Sequence, residues 1–393
     1  MISTASLMLL LLWPIQAQEI TTPPQERVVP VERVTTIETN YLTRLALKGF
    51  SPEAQGLFIE SVDGSTIYAD HQSDVAFNPA SVIKLATSFT ALQKFGPDFH
   101  FETAFIAAGD IDRKTRTLRG DLILMADGDP VMGTIDVNKL LNDVIRSGVA
   151  RVTGDLVVTG PFTYASYQTT ADGTAHLVSA LRRLGIRVSG VSNRVGTGLP
   201  VKGTKLSSHS SASLREILFT QNAHSINNTA ERVGEAVGGP KGVESFLTNS
   251  LGIPAAEIHL SRTSGLDYNR ITPRGTVHLL QELMVWLAKR NLEPEDIMPV
   301  AGIDAGTLQS RFRSEDYRGA VVGKTGTLPA TDGGVSTLAG FLYTKDRGPI
   351  LFAIFNTRGS VAMYRQLQDS LLKELIAVSG GPQPPPNMRR ASN

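Results

Sequence analysis

The sequence predicts an α+β protein in which an antiparallel sheet is flanked by helices and carries a smaller α+β lobe as an insertion. β-Rich runs stand towards both ends of the chain, and helical periodicity follows the first and precedes the second. Between them, over residues 101–207, short β-like runs alternate with turns and two helix-like stretches. Because the outer β-rich runs can share one sheet, we expect the middle segment to be the insertion.

Composition excludes several classes of function. The 393 residues are 41% hydrophobic and 19% charged, as in an ordinary globular protein, and the net charge is +1. This balance gives no electrostatic case for a nucleic-acid or membrane partner. There is no cysteine, so disulfides, thiolate metal sites and cysteine-linked lipids are excluded. The seven histidines form no His-x-x-x-His pair and no phosphate loop is visible. We predict neither a metal nor a cofactor.

The N-terminus predicts export. Residues 1–17 read as a signal peptide, with an apolar core from Leu7 to Trp13 that is too short to span a bilayer and a small residue, Ala17, at the expected cleavage point. No Lys or Arg precedes that core, and a buried hydrophobic N-terminus is the alternative. Residues 18–40 form a polar spacer, expected to be loosely ordered over 19–36. We expect a protein of the periplasm or cell wall, soluble or loosely peripheral.

The main domain is predicted to be discontinuous and to comprise residues 41–100 and 208–379. A short helix is expected over 41–48, and a hairpin joins 56–62 to 65–69 through Asp63-Gly64. The next helix begins with Asn78 as N-cap and Pro79 in its first turn, and it ends at Gly96.

The inserted lobe and the elements after it follow from the same patterns. Two similar phrases, Gly120-Asp121-Leu122 and Gly154-Asp155-Leu156, each open a strand-like run of the lobe. The predicted strands are 103–107, 122–125, 156–159, 319–322, 336–342 and 350–355, and the predicted helices are 137–147, 174–184, 213–220, 226–237 and 361–378. The tail 380–393 is proline-rich, is predicted to be disordered and shows no amphipathic anchor helix.

Ser81 and Lys84 stand three residues apart at the start of the predicted helix, on one face. A serine hydroxyl becomes a nucleophile when a base stands beside it, and a lysine with a lowered pKa can be that base. The spacing alone is weak evidence, because a Ser-x-x-Lys arises by chance about once in a chain this long. Ser370 and Lys373 repeat it in the last helix.

Two further motifs strengthen the interpretation of Ser81 and Lys84 as a nucleophile and its base. Ser225-Ile226-Asn227 opens a helical run, and Lys324-Thr325-Gly326-Thr327 follows a short β-like run. Separately they read as a helix cap and a surface turn. In the order Ser-x-x-Lys, Ser-x-Asn, Lys-Thr-Gly they are typical of penicillin-recognising serine acyl transferases.

At this level the sequence resembles the low-molecular-mass class C penicillin-binding proteins, the D-alanyl-D-alanine carboxypeptidase/endopeptidases. The resemblance runs from about Gly56 to Asn356 and includes phrases beyond the three motifs: Asn78-Pro79-Ala80-Ser81, Gly128-Asp129-Pro130, Ser264-Gly265-Leu266, Ala301-Gly302-Ile303-Asp304, Gly306-Thr307-Leu308 and Leu338-Ala339-Gly340. It implies a transpeptidase-like (β-lactamase-like) fold and a peptidase acting on peptidoglycan.

The sequence departs from the family pattern in three places. The stretch 156–176 is short, so the third lobe of larger members is expected to be absent or vestigial. Ile226 stands where relatives often have a polar residue, and the loop 327–335 beside the site is slightly longer than expected. These departures concern substrate preference more than chemistry.

The resemblance gives each motif residue a role. Ser81 is the nucleophile, and Lys84, kept neutral by burial and by the nearby charge of Lys324, is its base. Ser225 passes a proton to the leaving amine. Asn227 binds the substrate amide and Lys84.

The Lys-Thr-Gly segment is expected to bind substrate. Lys324 attracts the terminal carboxylate, helped by the hydroxyls of Thr325 and Thr327. Gly326 lets the substrate lie along the strand edge. The backbone N–H groups of Ser81 and Thr327 form the oxyanion hole.

The implied function is a serine-type D-Ala-D-Ala carboxypeptidase, with endopeptidase activity as a second reaction, whose partners are peptidoglycan stem peptides and, as covalent inhibitors, β-lactams. Two alternatives stay open. A β-lactamase on the same fold would need a water-activating Glu loop, which the sequence does not show. A catalytically weak peptidoglycan-binding scaffold is the other, and the intact motifs argue against it.

Overall fold

The computed structural model describes residues 31–194 and 202–385. The predicted signal peptide (1–17), most of the predicted spacer (18–30) and the end of the predicted tail (386–393) lie outside the described residues.

The described residues form two six-stranded sheets with helices packed against them, so the predicted α+β class is confirmed. The strands are β1 (Glu32–Arg33), β2 (Gln55–Ser61), β3 (Thr66–His71), β4 (Glu102–Asp112), β5 (Thr117–Ala126), β6 (Arg151–Val152), β7 (Asp155–Thr159), β8 (Gly190–Arg194), β9 (Thr204–Ser210), β10 (Val321–Leu328), β11 (Val335–Thr344) and β12 (Gly348–Asn356). The α-helices are α1 (Thr35–Leu47), α2 (Lys84–Phe95), α3 (Thr134–Arg146), α4 (Thr170–Arg183), α5 (Leu214–His224), α6 (Asn227–Ala236), α7 (Gly239–Asn249), α8 (Pro273–Ala288) and α9 (Val361–Val378).

The main sheet joins the two ends of the chain in the order β1-β3-β2-β12-β11-β10, antiparallel except for the β1–β3 pair. The predicted hairpin is present, with Gly64 in the left-handed region at φ 69°. Side chains of β12 alternate between two cores: Leu351 and Phe355 face α2, α7 and α8, whereas Phe352 and Ile354 face α1 and α9. Helices therefore cover both faces of this sheet. Strand β10 lies at one edge of the sheet, close to α2.

The second sheet, in the order β8-β7-β5-β4-β9 with β6 also paired to β5, forms the inserted lobe with α3 and α4. The two repeated phrases lie side by side in it, because Leu122 of β5 is opposite Leu156 of β7 in a parallel pair. The Asp121 carboxylate accepts a hydrogen bond from the Asp155 N–H at 2.9 Å. Entry and exit of the lobe meet where the Ser211 N–H donates to the Phe101 carbonyl at 3.0 Å.

Several local predictions need correction. The first helix begins at Thr35 rather than 41, and Glu32–Arg33 pairs with Thr66–Ile67, so the described part of the spacer forms strand β1 and the start of α1. The first residues of the tail also pair, since the Gln383 N–H donates to the Tyr343 carbonyl at 3.1 Å. Helices α7 and α8 have no counterpart in the sequence analysis. Within 31–194 and 202–385 no helix is both long and apolar enough to cross a bilayer.

Candidate active site

Ser81 lies in a tight turn that immediately precedes α2. The sequence predicted an α-helix opening at Asn78, but residues Ala80–Ile83 form a 3-10 helix and α2 begins at Lys84. The Asn78 side chain accepts a hydrogen bond from the Ala80 N–H at 3.0 Å, and Ala80 has a φ of 47°, in the left-handed region. Asn78 therefore caps this nucleophile turn rather than the α-helix, which ends at Gly96 as predicted.

Lys84 is fully buried, and its Nζ has three oxygen neighbours. They are Ser81 Oγ at 2.9 Å, Asn227 Oδ1 at 2.7 Å and the Ser264 carbonyl at 2.5 Å. The amide and carbonyl oxygens can only accept, so they take two N–H bonds of the amine. A neutral amine has no third N–H, and its lone pair is then left facing Ser81 Oγ. The geometry directs the basic electron pair at the nucleophile's proton.

Burial lowers the pKa of Lys84 to about 7, and the Glu231 carboxylate opposes that shift. Lys324 is also fully buried, and its pKa is lowered well below the ordinary lysine value by burial and by the charge of Lys84. Burial and the charge of Lys324 were together predicted to keep Lys84 neutral. In the structure burial dominates at Lys84, and the repulsion between the two amines lowers the pKa of Lys324.

The Ser-x-Asn segment forms the sharp bend between α5 and α6. Ser225 ends α5 with a φ of 56°, in the left-handed region, and Asn227 is the first residue of α6. The bend sends the two side chains to different lysines: Lys324 Nζ donates to Ser225 Oγ at 2.9 Å, while Lys84 donates to Asn227. Ile226 between them is 36% exposed.

The Lys-Thr-Gly segment lies within β10, so the strand predicted over 319–322 continues through the motif, and its pairing with β11 extends to Leu328 opposite Val335. Gly326 is required by packing here: a Cβ atom would lie 2.1 Å from Thr337 Oγ1 and 2.6 Å from the Pro79 carbonyl. Thr337 Oγ1 donates to that same carbonyl at 2.7 Å. The edge strand is thus held directly against the nucleophile turn.

The two threonines of the segment have partners that the sequence analysis did not assign. Thr325 Oγ1 donates to Thr307 Oγ1 at 2.8 Å, and Arg365 Nη2 donates to Thr327 Oγ1 at 2.9 Å. Thr307 belongs to Gly306-Thr307-Leu308, one of the segments that carry the family resemblance, but no role was predicted for it. Arg365 comes from an amphipathic helix where nothing in the sequence marks it.

Away from this site, the acidic residues and histidines that the structure describes form no metal centre. No group of three or more His, Cys, Asp or Glu side chains in the described ranges could hold a metal ion. Asp129, in one of the segments that carry the family resemblance, accepts from the Val131 N–H at 2.9 Å, is buried and lies 3.2 Å from His209 Nε2. Burial raises the pKa of Asp129.

Comparison with known proteins gives concordant matches. The chain matches the D-Ala-D-Ala carboxypeptidase 3 (S13) family over residues 42–162 and 158–373. A D-alanyl-D-alanine carboxypeptidase of Actinomadura sp. (strain R39) is 23% identical over 455 residues, covering 83% of this chain and 81% of the relative.

Two solved structures share the fold. Penicillin binding protein 4 (DacB) of Haemophilus influenzae superposes with a TM-score of 0.69 at 19% identity, covering 87% of this chain and 99% of that one. The penicillin G-acylated predatory endopeptidase Bd3459 of Bdellovibrio bacteriovorus gives a TM-score of 0.66 at 21% identity, covering 84% and 93%.

Proposed function

The chain belongs to the D-Ala-D-Ala carboxypeptidase 3 (S13) family and is a serine-type peptidase; from that premise we propose that Ser81 is its nucleophile and Lys84 its general base. One observation carries the assignment. The buried amine of Lys84 has two oxygen acceptors besides Ser81 Oγ, so its lone pair faces the hydroxyl, and its pKa of about 7 leaves about half of it neutral at pH 7.

In the acylation step the Ser81 hydroxyl proton moves to Lys84 Nζ while Oγ forms a bond to the carbonyl carbon of the penultimate D-alanine. The negative charge that develops on the carbonyl oxygen is stabilised by the backbone N–H groups of Ser81 and Thr327. Losing one such donor costs about 3 kcal/mol of barrier. Collapse of the intermediate breaks the C–N bond, and the proton that Lys84 accepted passes by way of Ser225 Oγ to the leaving amine, which returns Lys84 to its neutral form. Lys324 Nζ holds Ser225 Oγ at 2.9 Å.

Water then completes hydrolysis. Its oxygen attacks the ester carbon, one proton goes to the base, and cleavage of the C–O bond returns a proton to Ser81 Oγ and releases the shortened peptide acid. Asn227 keeps Lys84 in place and offers its amide N–H to the acyl chain.

Recognition of the terminal carboxylate falls to Lys324 and the hydroxyls of Thr325 and Thr327, with Arg365 beside them. Burial and Lys84 hold the pKa of Lys324 low in the free protein. An arriving carboxylate favours the ammonium form of Lys324 and so opposes that lowering of its pKa. Val300 pairs with Val322 at the start of the outer edge of β10, and the part of that edge beyond it, which contains Gly326, can pair with an extended peptide.

β-Lactams should acylate Ser81, and the solved endopeptidase Bd3459, which is acylated by penicillin G, supports this expectation. That neighbour also supports a second reaction here, cleavage of D-alanine cross-links in peptidoglycan. The signal-like N-terminus supports export to the periplasm or cell wall.

Intact-protein mass after incubation with benzylpenicillin tests the assignment. A stable penicilloyl increment is expected on the wild type and none on Ser81→Ala. Ser370→Ala is the matched control, because Ser370 has the same spacing to a lysine but lies on the surface of α9, donating to the Gln366 carbonyl. It should be acylated like the wild type. Release of D-alanine from a D-Ala-D-Ala peptide should follow the same pattern. An adduct retained by Ser81→Ala would refute the assignment.

A further inference from the structure

Glu231 binds a buried segment of chain that crosses behind the active site. It lies on α6, one turn after Asn227. Its carboxylate accepts hydrogen bonds from Ser264 Oγ at 2.5 Å, the Ser264 N–H at 3.3 Å and Thr263 Oγ1 at 3.0 Å. Thr263 and Ser264 are buried, 1% and 0% exposed. One carboxylate therefore fixes two successive residues of this segment, residues 263–265.

The same segment turns its carbonyl groups to α2. The Ser264 carbonyl accepts from Lys84 Nζ at 2.5 Å, and the Thr263 carbonyl accepts from Thr87 Oγ1 at 2.8 Å. Lys84 and Thr87 are three residues apart on one face of α2. Hydrogen-bond donors of the segment thus bind Glu231, and its acceptors bind the helix that carries the base.

Gly265 brings the segment against the nucleophile as well. Its φ is 87°, and a Cβ atom there would lie 2.0 Å from the Ala80 carbonyl oxygen and 2.9 Å from the Ser81 nitrogen. A small displacement of the segment would consequently reach both the base and the nucleophile turn.

Helix α6 therefore determines the position of both acceptors, apart from Ser81, that orient Lys84. Asn227 does so directly, and Glu231 does so through the Ser264 carbonyl. The two residues are four positions apart and share a helix face.

We propose that Glu231 is a positioning residue for the general base: by fixing the Ser264 carbonyl it aims the lone pair of Lys84 at Ser81. The proposal rests on the proposed function, in which Lys84 accepts the Ser81 proton. The negative charge of Glu231 acts in addition, because it favours the protonated amine and so opposes the effect of burial on the pKa of Lys84. The other charged groups to be considered are Lys324 on β10, which faces Lys84, and Glu235, which lies one turn beyond Glu231.

The test is the pH profile of benzylpenicillin acylation for Glu231→Gln, with Glu235→Gln as the matched control. Both variants remove one carboxylate from α6, but Glu235 is exposed and lies about 6 Å further along the axis. In Glu231→Gln the plateau rate should fall about tenfold. Its acid limb should also move by about one pH unit to lower pH, because loss of a nearby negative charge disfavours the ammonium form. Glu235→Gln should match the wild type in both.

A merely structural clamp would lower stability and the amount of folded protein without changing the pH profile of the folded fraction, so a wild-type plateau rate and an unmoved acid limb in folded Glu231→Gln overturn the proposal. Equal shifts in both variants would also overturn it, since they would show a general field effect. Absence of an adduct on the wild type would instead refute the proposed function, and the positioning role with it.

Ser264→Ala keeps the proposal testable if Glu231→Gln does not fold. This variant removes the 2.5 Å hydrogen bond to Glu231 and leaves the carbonyl in place. Its plateau should fall severalfold, and Glu231→Asp, which keeps the charge on a shorter side chain, should keep the limb and lose plateau rate. Combined with Ser264→Ala, Glu231→Asp should lose little more than the worse single variant, because both act through one contact. Fully additive losses would contradict the proposed route.

Discussion

Acidification should inactivate the enzyme, because it protonates Lys84. An ordinary lysine, with a pKa of 10.5, is neutral in about one molecule in 3,000 at pH 7, whereas Lys84, with its pKa lowered to about 7, is neutral in about one in two. The structure thus supplies roughly 1,500-fold more free base, which corresponds to about 4 kcal/mol. Between pH 8 and pH 5 the neutral fraction falls from about 0.9 to about 0.01, so the acylation rate should drop about 90-fold.

The measurement is the second-order rate of acylation by benzylpenicillin from pH 5 to pH 9, followed by intact mass. Benzylpenicillin is suitable because its carboxylate stays ionised over that range. Lys84→Arg, which retains a cation but has no accessible neutral form, should show no plateau and a rate at least 1,000-fold lower at pH 8. Circular dichroism at each pH separates loss of the base from unfolding.

Two results would refute the reasoning. A rate that stays constant down to pH 5 would mean that no group titrating near 7 accepts the proton. A rate that continues to rise tenfold per pH unit up to pH 9 would mean that burial does not lower the pKa of the base.

Three further outcomes are expected. Gly265→Ala should destabilise the protein by about 3 kcal/mol in thermal unfolding and slow acylation, whereas Gly252→Ala, at a similar positive φ but with open space around it, should cost only about 1 kcal/mol; equal losses would contradict the packing argument. Arg365→Gln removes the donor to Thr327 and should raise KM for a D-Ala-D-Ala peptide about tenfold with little change in kcat; an unchanged KM would exclude Arg365 from carboxylate binding. Lys84→Met should be more stable than the wild type at pH 7 and should lose that advantage as the pH rises towards 10.5. The reason is that, between pH 7 and 10.5, Lys84 is protonated in the unfolded wild type but neutral in the folded protein, so the stability of the wild type rises with pH. Melting temperatures at pH 7 and 9.5 test this, and a difference that does not depend on pH would argue against it.

Elements whose boundaries depend on local signals could be predicted from the sequence. The last helix was placed at 361–378 and α9 has those bounds, because its apolar stripe is long and Ser360 caps its start through the Met363 N–H. The hairpin was equally clear, since Asp63-Gly64 fits a tight turn and the flanking runs are β-rich.

Elements shaped by distant contacts were misplaced. The strand before the Lys-Thr-Gly motif was predicted to end at residue 322, but pairing with β11 keeps the chain extended through Lys324-Thr325-Gly326-Thr327 to Leu328. The nucleophile turn was predicted as an α-helix, since nothing local reveals the left-handed φ of Ala80.

The site shows the same division. The three motifs led to residues whose side chains converge in the structure, with Ser81, Lys84 and Asn227 in one cluster and Ser225 with Lys324 in the next. Glu231 and Arg365 were missed because their part depends on partners more than 30 residues away.

The meeting of Phe101 and Ser211 at the base of the inserted lobe has a consequence for how proteins of this architecture can change in size. The inserted lobe leaves and rejoins the main domain at one point, so from the main domain it has the role of a closed loop. Doubling or halving the length of such a loop changes the free energy of loop closure by only about 0.6 kcal/mol. The strand pairing of the main sheet is indifferent to that length. One contact between the two parts that a change in lobe length must preserve is made by Arg232 of α6, which donates to the carbonyls of Pro130, Ala165 and Tyr167 in the lobe. The length of the inserted lobe can therefore differ between related proteins while the structure of the main domain is retained.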